Sequence, residues 1–209
     1  MDNLLSCAPP YVCLIRHGET EFSAARRYDG RTDVGLTGNG EDAARRLQPI
    51  LTRVQWEAVL CSPLMRARRT AALAGFVDPE IVDALRECDY GDFEGKTTEE
   101  ILALRPDWRF WRDGCPGGEG PDTVGARLRR VVRRLLGGRG SILVFSHSHA
   151  IRILSALMLG LKPKQGAIFS LEPARLNIIR IHRNTPELAL WNDGGYIQDN
   201  QQTFHSKGE

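Results

Sequence analysis

Two strand-like segments of the chain each lead directly into a histidine. The apolar run at 11–15 is followed by Arg16 and His17, and the apolar run at 142–145 is followed, after one serine, by His147. In open α/β sheets, ligands bind just beyond the carboxyl ends of the strands. One histidine in such a place would be read as a helix cap or a hydrogen-bonded core residue. Two of them, with arginines nearby in the sequence, predict a pocket for a phosphate group.

Hydrolysis of a phosphate monoester without a metal needs cations, a nucleophile and an acid. Cations neutralise the phosphate oxygens, the nucleophile attacks phosphorus in line, and the acid protonates the leaving oxygen. A neutral histidine can be the nucleophile, and the guanidinium of arginine binds two phosphate oxygens at once. We predict that His17 is the nucleophile and Glu87 the acid, that Arg16 and Arg66 bind the phosphate, and that His147 is a further catalytic contact.

A metal site is the alternative use of His17, His147 and His149. The spacing of His147 and His149 would place both on one face of a strand. The sequence, however, offers no carboxylate or thiolate at a spacing that would complete the ligand set. We therefore predict that the site uses no metal and no cofactor, and that His149 belongs to the start of the next helix.

Strand-like and helical patterns alternate along the chain. Strands are predicted at 11–15, 58–61, 81–85, 142–145, 176–181 and 188–191. Helices are predicted after Thr37 and from Pro63, and apolar stripes at helical spacing run along 124–136 and 150–158. This alternation predicts an α/β fold, a three-layer sandwich with a mostly parallel central sheet flanked by helices.

We predict a single domain over residues 1–209, with a core at about 11–195 and a polar tail from about 198. The segment at about 91–121 is too long for a simple connection and predicts a functional excursion from the core. Its Trp108 and Trp111 are expected to pack the excursion onto the core. The arginines at 124–136, Arg127 among them, lie largely off the apolar stripe and indicate a solvated helix face.

The composition of the 209-residue chain excludes other classes of protein. With 28 Lys and Arg against 26 Asp and Glu, the net charge of +2 lacks the basic excess of nucleic-acid-binding proteins. No run approaches the ~18 apolar residues of a membrane span. The N-terminus does not resemble a secretory signal, and the five cysteines form no CxxC pair. These features predict a cytoplasmic protein with reduced thiols, whose partner is neither nucleic acid nor a membrane.

The motifs around these residues resemble those of the histidine phosphatase superfamily, which includes the phosphoglycerate mutases. The segment 14–20, LIRHGET, is similar to the family signature, and the segments 30–37, 62–67, 87–95 and 146–147 resemble further family motifs in the family's order. The resemblance implies that His17 is transiently phosphorylated and that Glu87 acts first as an acid and then as a base. It also implies that Arg16, Arg66 and His147 hold the phosphoryl group, and that the partner is a small phosphorylated metabolite.

Three positions depart from the family pattern. Ser23 stands where many members carry a phosphate-binding asparagine, and Ser148 stands where members usually have glycine after the second histidine. The resemblance implies that both serines lie at the phosphate, Ser23 with a shorter reach. Cys88 replaces a tryptophan that often adjoins the acid, which implies a changed environment for Glu87.

The length of the chain and the segment 108–119 indicate which members it resembles. The mutases are typically longer and carry an insertion that shields the phosphohistidine from water. The segment 108–119 is most similar to sugar-phosphate and broad acid phosphatases, sedoheptulose bisphosphatase among them, and Arg109 or Arg112 is predicted to meet a second phosphate. A phosphoglycerate mutase and a non-catalytic phospho-ligand-binding module remain the alternatives, and the sequence predicts no oligomeric state.

Overall fold

The apolar runs of the sequence form the buried strands of one sheet in the computed structural model, which describes residues 10–195. The six strands are β1 (Tyr11–Arg16), β2 (Ala58–Cys61), β3 (Glu80–Ile81), β4 (Ile142–Ser146), β5 (Leu176–His182) and β6 (Thr185–Asp193). Every residue of β4 is buried, as expected of a central strand covered on both faces.

Helices connect the strands, and their ends follow local sequence signals. The helices are α1 (Glu21–Ala24), α2 (Gly38–Leu51), α3 (Met65–Leu73), α4 (Thr98–Leu104), α5 (Phe110–Asp113), α6 (Pro121–Gly137) and α7 (Ser148–Met158). The side chain of Thr37 caps α2 by accepting a hydrogen bond from the Gly40 N–H at 3.1 Å, as predicted. The helix predicted from Pro63 begins two residues later, at Met65.

The strand order β3-β2-β4-β1-β5-β6 combines a parallel part with an antiparallel edge. The neighbours among β3, β2, β4 and β1 pair in parallel, whereas β5 pairs antiparallel with β1 and β6. Alternate residues of β1 face opposite sides. Val12 and Leu14 join one buried cluster with α6 and α7, and Cys13 and Ile15 join another with α2 and α3. The predicted three-layer α/β sandwich is confirmed.

The strand predicted at 81–85 is wrong beyond its first residue. β3 ends at Ile81, and a 3-10 helix, Asp83–Leu85, follows. β3 is an edge strand with a single neighbour, so the chain can leave the sheet without leaving an inner ladder unpaired. The N–H of Leu85 bonds to the Val82 carbonyl at 2.9 Å, and this tight turn buries the Leu85 side chain.

The excursion at 91–121 contains a 3-10 helix (Gly91–Phe93), α4 and α5. It packs onto the core through Phe93, Trp108 and Phe110, as expected for Trp108, and the Trp108 indole donates to the Gly114 carbonyl at 2.7 Å. In the part of the chain that the structure describes, no helix has the length and apolar character of a membrane span. The polar tail predicted from 198 lies outside the described residues.

Candidate active site

The ends of β1 and β4 bring the two predicted histidines together. The strands run parallel in register, with Arg16 opposite Ser146. The N–H of His17 extends this ladder by donating to the Ser146 carbonyl at 3.0 Å. The rings of His17 and His147 consequently lie beside each other, with centroids 5.1 Å apart. The sheet register thus creates the histidine pair expected at this edge.

The His17 ring is held in one tautomer. Its Nδ1 lies 2.8 Å from the carbonyl oxygen of Gly18, which can only accept a hydrogen bond, so Nδ1 carries the proton. Nε2 is left with its lone pair. Burial, followed by the positive charges of Arg66 and Arg16, holds the pKa of His17 well below its usual value. The ring is therefore neutral and can act as a nucleophile.

Arg66 is fully buried and ties a loop to the second histidine. Its Nη1 donates to the Thr32 carbonyl at 2.9 Å, and its Nη2 donates to the carbonyls of Asp29 at 2.5 Å and Gly30 at 3.0 Å. Its Nε donates to His147 Nδ1 at 3.2 Å. The Asp29 carboxylate, 3.7 Å from Nε, supplies a partial counter-charge. These four bonds fix the guanidinium at the pocket and leave one Nη1 hydrogen free of them.

His147 has the opposite tautomer to His17. Because the guanidinium of Arg66 can only donate, Nδ1 of His147 must accept, and the proton of the neutral ring is on Nε2. This Nε2 lies 2.7 Å from the hydroxyl oxygen of Ser62, to which it donates. Burial, and then the charge of Arg66, lowers the pKa of His147 well below its usual value.

The Glu87 carboxyl group caps α7. Its oxygens accept from the N–H groups of Cys88 at 2.9 Å, Ala150 at 3.0 Å and His149 at 3.1 Å, and the latter two belong to the first turn of α7. Burial raises the pKa of Glu87, and the charge of Asp29 adds to this effect. The three N–H bonds oppose it without cancelling it. Glu87 consequently keeps its proton to a higher pH than an ordinary glutamic acid.

Arg16 carries a buried donor that has no acceptor in residues 10–195. Its Nη1 donates to the Leu171 carbonyl at 2.7 Å. Its Nε is buried and has no hydrogen-bond partner among the described residues. A buried N–H without an acceptor is costly, and this one adjoins His17 in the chain. The donor is suited to an anion in the histidine pocket.

The four remaining predicted residues have different settings. Ser23 forms a capping box with Thr20, because its hydroxyl accepts from the Thr20 N–H at 2.9 Å and its own N–H donates to Thr20 Oγ1 at 3.0 Å. The hydroxyl also donates to the Thr20 carbonyl at 3.1 Å. Ser148 is the first residue of α7, directly after His147. Arg109 and Arg112 lie at an aromatic cleft beside α5, and Arg112 pairs with a neighbouring carboxylate.

The prediction that Arg127 lies on a solvated helix face is wrong. Its Nη1 donates to the carbonyl of Ala84 at 2.6 Å, its Nη2 donates to that of Glu87 at 2.9 Å, and both Nε and Nη2 pair with the Glu119 carboxylate. Arg127 therefore anchors the backbone that carries the predicted acid. The sequence signal for this buried role is the position of Arg127 three residues after Val124, which places it at the edge of the apolar stripe.

The chain matches the model of the histidine phosphatase superfamily (branch 1) over residues 12–194. It belongs to this family. The histidine phosphatase is 34% identical to an acid phosphatase of Mycobacterium tuberculosis, over 90% of this chain and 94% of the relative. It is 35% identical to sedoheptulose 1,7-bisphosphatase of Saccharomyces cerevisiae, over 73% of this chain and 68% of the relative.

The fold agrees with that of a solved relative. The structure of an open reading frame product from Mycobacterium tuberculosis superposes with a TM-score of 0.83 at 33% identity, covering 88% of this chain and 98% of the other. Together with the named phosphatases, this similarity identifies the chain as a phosphatase of the histidine phosphatase type.

Proposed function

We propose that this histidine phosphatase hydrolyses phosphate monoesters of small metabolites, sugar phosphates in particular, through a phosphohistidine and without a metal ion. The observation that carries the proposal is the buried, neutral ring of His17, whose Nδ1 is held by the Gly18 carbonyl at 2.8 Å. The sugar-phosphate class is supported by the similarity to sedoheptulose 1,7-bisphosphatase.

The first step transfers the phosphoryl group to the enzyme. The Nε2 lone pair of His17 attacks phosphorus while the bond from phosphorus to the ester oxygen breaks. The electron pair of that bond stays on the ester oxygen, which takes the proton of Glu87. The raised pKa of Glu87 supports this role as a proton donor. The phosphorylated ring is positively charged, and the Gly18 carbonyl stabilises it through Nδ1–H.

The second step returns the enzyme to its first state. The carboxylate of Glu87 takes a proton from water while the water oxygen attacks phosphorus. The bond between phosphorus and Nε2 of His17 breaks, its electron pair returns to the nitrogen, and inorganic phosphate leaves. One residue thus serves as acid and then as base, which requires its carboxyl group to stay within reach of both oxygens.

The phosphate-binding groups supply positive charge and donors. The unpartnered Nε–H of Arg16 and the remaining Nη1 hydrogen of Arg66 are the first donors. His147 accepts at Nδ1 from Arg66 Nε and donates at Nε2 to Ser62, so it would donate to a phosphate only after exchanging the Ser62 bond for one to the phosphate. Ser148, at the first position of α7, contributes its N–H at a helix N-terminus. Ser23 would contribute only after releasing Thr20.

The proposed setting is the cytoplasm, with a small phosphorylated metabolite as the partner. Cys13, Cys61, Cys88 and Cys115 are all free and buried among the described residues. Free thiols support a reducing compartment.

The test is phosphate release from a panel of phosphorylated sugars, three-carbon acids, nucleotides and phosphopeptides in the presence of a chelator. Wild-type protein is compared with His17→Asn and with His182→Asn, a matched change of an exposed histidine outside the site. Release from sugar phosphates that resists the chelator, is lost in His17→Asn and survives in His182→Asn is the expected result.

Four outcomes would overturn the proposal. Activity that the chelator abolishes would require a metal. Activity that survives in His17→Asn would remove the nucleophile. Exchange of phosphate between positions of a three-carbon acid without net release would make the protein a phosphoglycerate mutase. Binding without any turnover would make it a phospho-ligand-binding module.

A further inference from the structure

The sheet holds the backbone of the nucleophile only as far as His17. The paired residues of β1 and β4 end at Arg16 and Ser146, and the His17 N–H adds one more bond, to the Ser146 carbonyl at 3.0 Å. The next N–H along the chain, that of Gly18, donates to a side chain instead, Thr70 Oγ1 at 2.9 Å. Thr70 therefore takes over from the sheet at the point where the strand ends.

Thr70 is fully buried on α3, one turn after Arg66. Its hydroxyl oxygen accepts from the Gly18 N–H, because a backbone N–H can only donate. The hydroxyl hydrogen is then free for the Arg66 carbonyl, to which it donates at 2.7 Å. The chemistry of the two partners thus fixes the direction of both bonds.

One face of α3 contacts both halves of the histidine pair. Arg66 Nε donates to Nδ1 of His147 at 3.2 Å, and four residues later Thr70 binds the residue that follows His17. Residues four apart lie on the same side of a helix. α3 consequently sets the position of the loop after the nucleophile relative to the second histidine.

Gly18 passes the position set by Thr70 to the His17 ring. Its carbonyl accepts from Nδ1–H of His17 at 2.8 Å, and this bond leaves the lone pair on Nε2. On its other side, Gly18 packs directly against α2, since a Cβ there would lie 2.4 Å from the Gly40 carbonyl oxygen. The residue that fixes the tautomer of the nucleophile is thus clamped between α2 and α3.

We propose that Thr70 is a positioning residue of the nucleophile. By holding the Gly18 N–H, it keeps the Gly18 carbonyl on Nδ1 of His17, and so keeps the ring in the tautomer that attacks phosphorus. The inference rests on the proposed function, in which Nε2 of His17 is phosphorylated. The Thr70 hydroxyl is committed to two backbone groups, so it acts through Gly18 and not on the substrate.

The test compares Thr70→Val, which keeps the shape of the side chain without its hydroxyl, with Thr70→Ser, which keeps the hydroxyl. The matched control is Thr52→Val, because the exposed Thr52 hydroxyl at the end of α2 also donates to the carbonyl four residues earlier, that of Gln48, at 2.7 Å. Nitrogen NMR of isotope-labelled histidine measures the tautomer of His17, whose signals are assigned by their loss in His17→Asn. Steady-state kinetics with nitrophenyl phosphate gives kcat/KM, which reports on phosphorylation of the enzyme.

Thr70→Val leaves the Gly18 N–H buried without its acceptor, so the peptide shifts. We expect the His17 proton to be shared between Nδ1 and Nε2, and kcat/KM to fall about 10- to 100-fold, as small misplacements of catalytic groups do. Burial lowers the pKa of His17 and the Gly18 bond opposes it, so the acidic limb of the pH profile should move to lower pH. Thr70→Ser should keep the wild-type tautomer and most of the rate, and Thr52→Val should change neither.

A wild-type tautomer and a wild-type kcat/KM in Thr70→Val would overturn the inference. A Thr70→Ser protein as impaired as Thr70→Val would also overturn it, because the methyl group and not the hydroxyl would then be needed. If Thr70→Val does not fold, Thr70→Cys replaces it in the same comparison, since a thiol is only a weak acceptor.

The tautomer measurement needs no turnover, which separates the two proposals. If the wild-type protein does not hydrolyse nitrophenyl phosphate, the proposed function fails, whereas a changed His17 tautomer in Thr70→Val still supports the role of Thr70. If the wild type hydrolyses it and neither the tautomer nor the rate changes in Thr70→Val, only the role of Thr70 fails.

Discussion

Replacing Arg127 by methionine removes the side chain that joins the Glu87 backbone to α6. The guanidinium donates to the carbonyls of Ala84, Arg86 and Glu87 and pairs with both carboxylate oxygens of Glu119. The side chains of the ion pair are only 20% and 19% exposed, so water replaces these contacts poorly. Methionine keeps much of the length of the side chain and none of its donors.

The cost follows from the degree of burial. Breaking a buried ion pair costs about 3–5 kcal/mol, whereas an exposed pair contributes about 0–1 kcal/mol. With one-fifth exposure of both partners, we expect Arg127→Met to lower the free energy of unfolding by about 3 kcal/mol. Because the backbone of the acid loses its anchor, kcat/KM for alkyl phosphates should fall about 10- to 100-fold, as small misplacements of catalytic groups do.

Urea unfolding and steady-state kinetics of Arg127→Met, Glu119→Met and the double variant would measure both effects. The two single changes should be strongly non-additive, because each leaves the other charge without its partner. Arg130→Met, on the exposed face of the same helix, is the control. A stability loss below about 1 kcal/mol, equal to that of the control, would refute the reasoning.

Two pH dependences and one backbone constraint give further predictions. The kcat/KM for alkyl phosphates should rise through the lowered pKa of His17, which must be neutral, and fall through the raised pKa of Glu87, which must hold its proton. An alkaline optimum would contradict the role of Glu87 as the acid. The pKa values of His17 and His147 are lowered in the folded state, so below about pH 6.5 the unfolded state binds more protons than the folded state. The free energy of unfolding should therefore decrease on acidification, by about 1.4 kcal/mol per pH unit for each such proton. A urea midpoint that increases from pH 7 to pH 5 would contradict this prediction. Gly18→Ala should lower thermal stability and activity together, since its Cβ would lie within 2.4 Å of the Gly40 carbonyl oxygen, and a variant with a wild-type melting temperature and rate would exclude this contact.

The parts of the fold that were predictable are those encoded by local patterns. The central strands β1, β2 and β4 are short apolar runs, and their parallel pairing places the residues that follow them at one edge. The sequence therefore predicts that His17 and His147 lie close together, and the structure places their rings side by side. The prediction of a strand at 81–85 is wrong because a half-exposed edge segment has the same apolar sequence pattern whether it pairs with a neighbouring strand or forms a turn.

The residues that sequence reasoning missed act through tertiary contacts. Ser62 contributes to the site because Nε2 of His147, which follows another strand, lies 2.7 Å from its hydroxyl oxygen. Arg127 reaches carbonyls about forty positions earlier in the chain. No spacing along the chain encodes such partners, whose distances depend on how the excursion and the helices pack.

The most direct test of the account is to trap the phosphorylated enzyme. In Glu87→Gln, nitrophenyl phosphate should still phosphorylate the protein, because its leaving group hardly needs a proton, whereas hydrolysis of the intermediate lacks its base. We expect a burst of one nitrophenolate per protein and a single phosphoryl group on Nε2 of His17, identified by mass spectrometry and phosphorus NMR. The Nε2 position follows from the bond between Nδ1 and the Gly18 carbonyl. No adduct, or an adduct on Nδ1 or on another residue, would contradict the account.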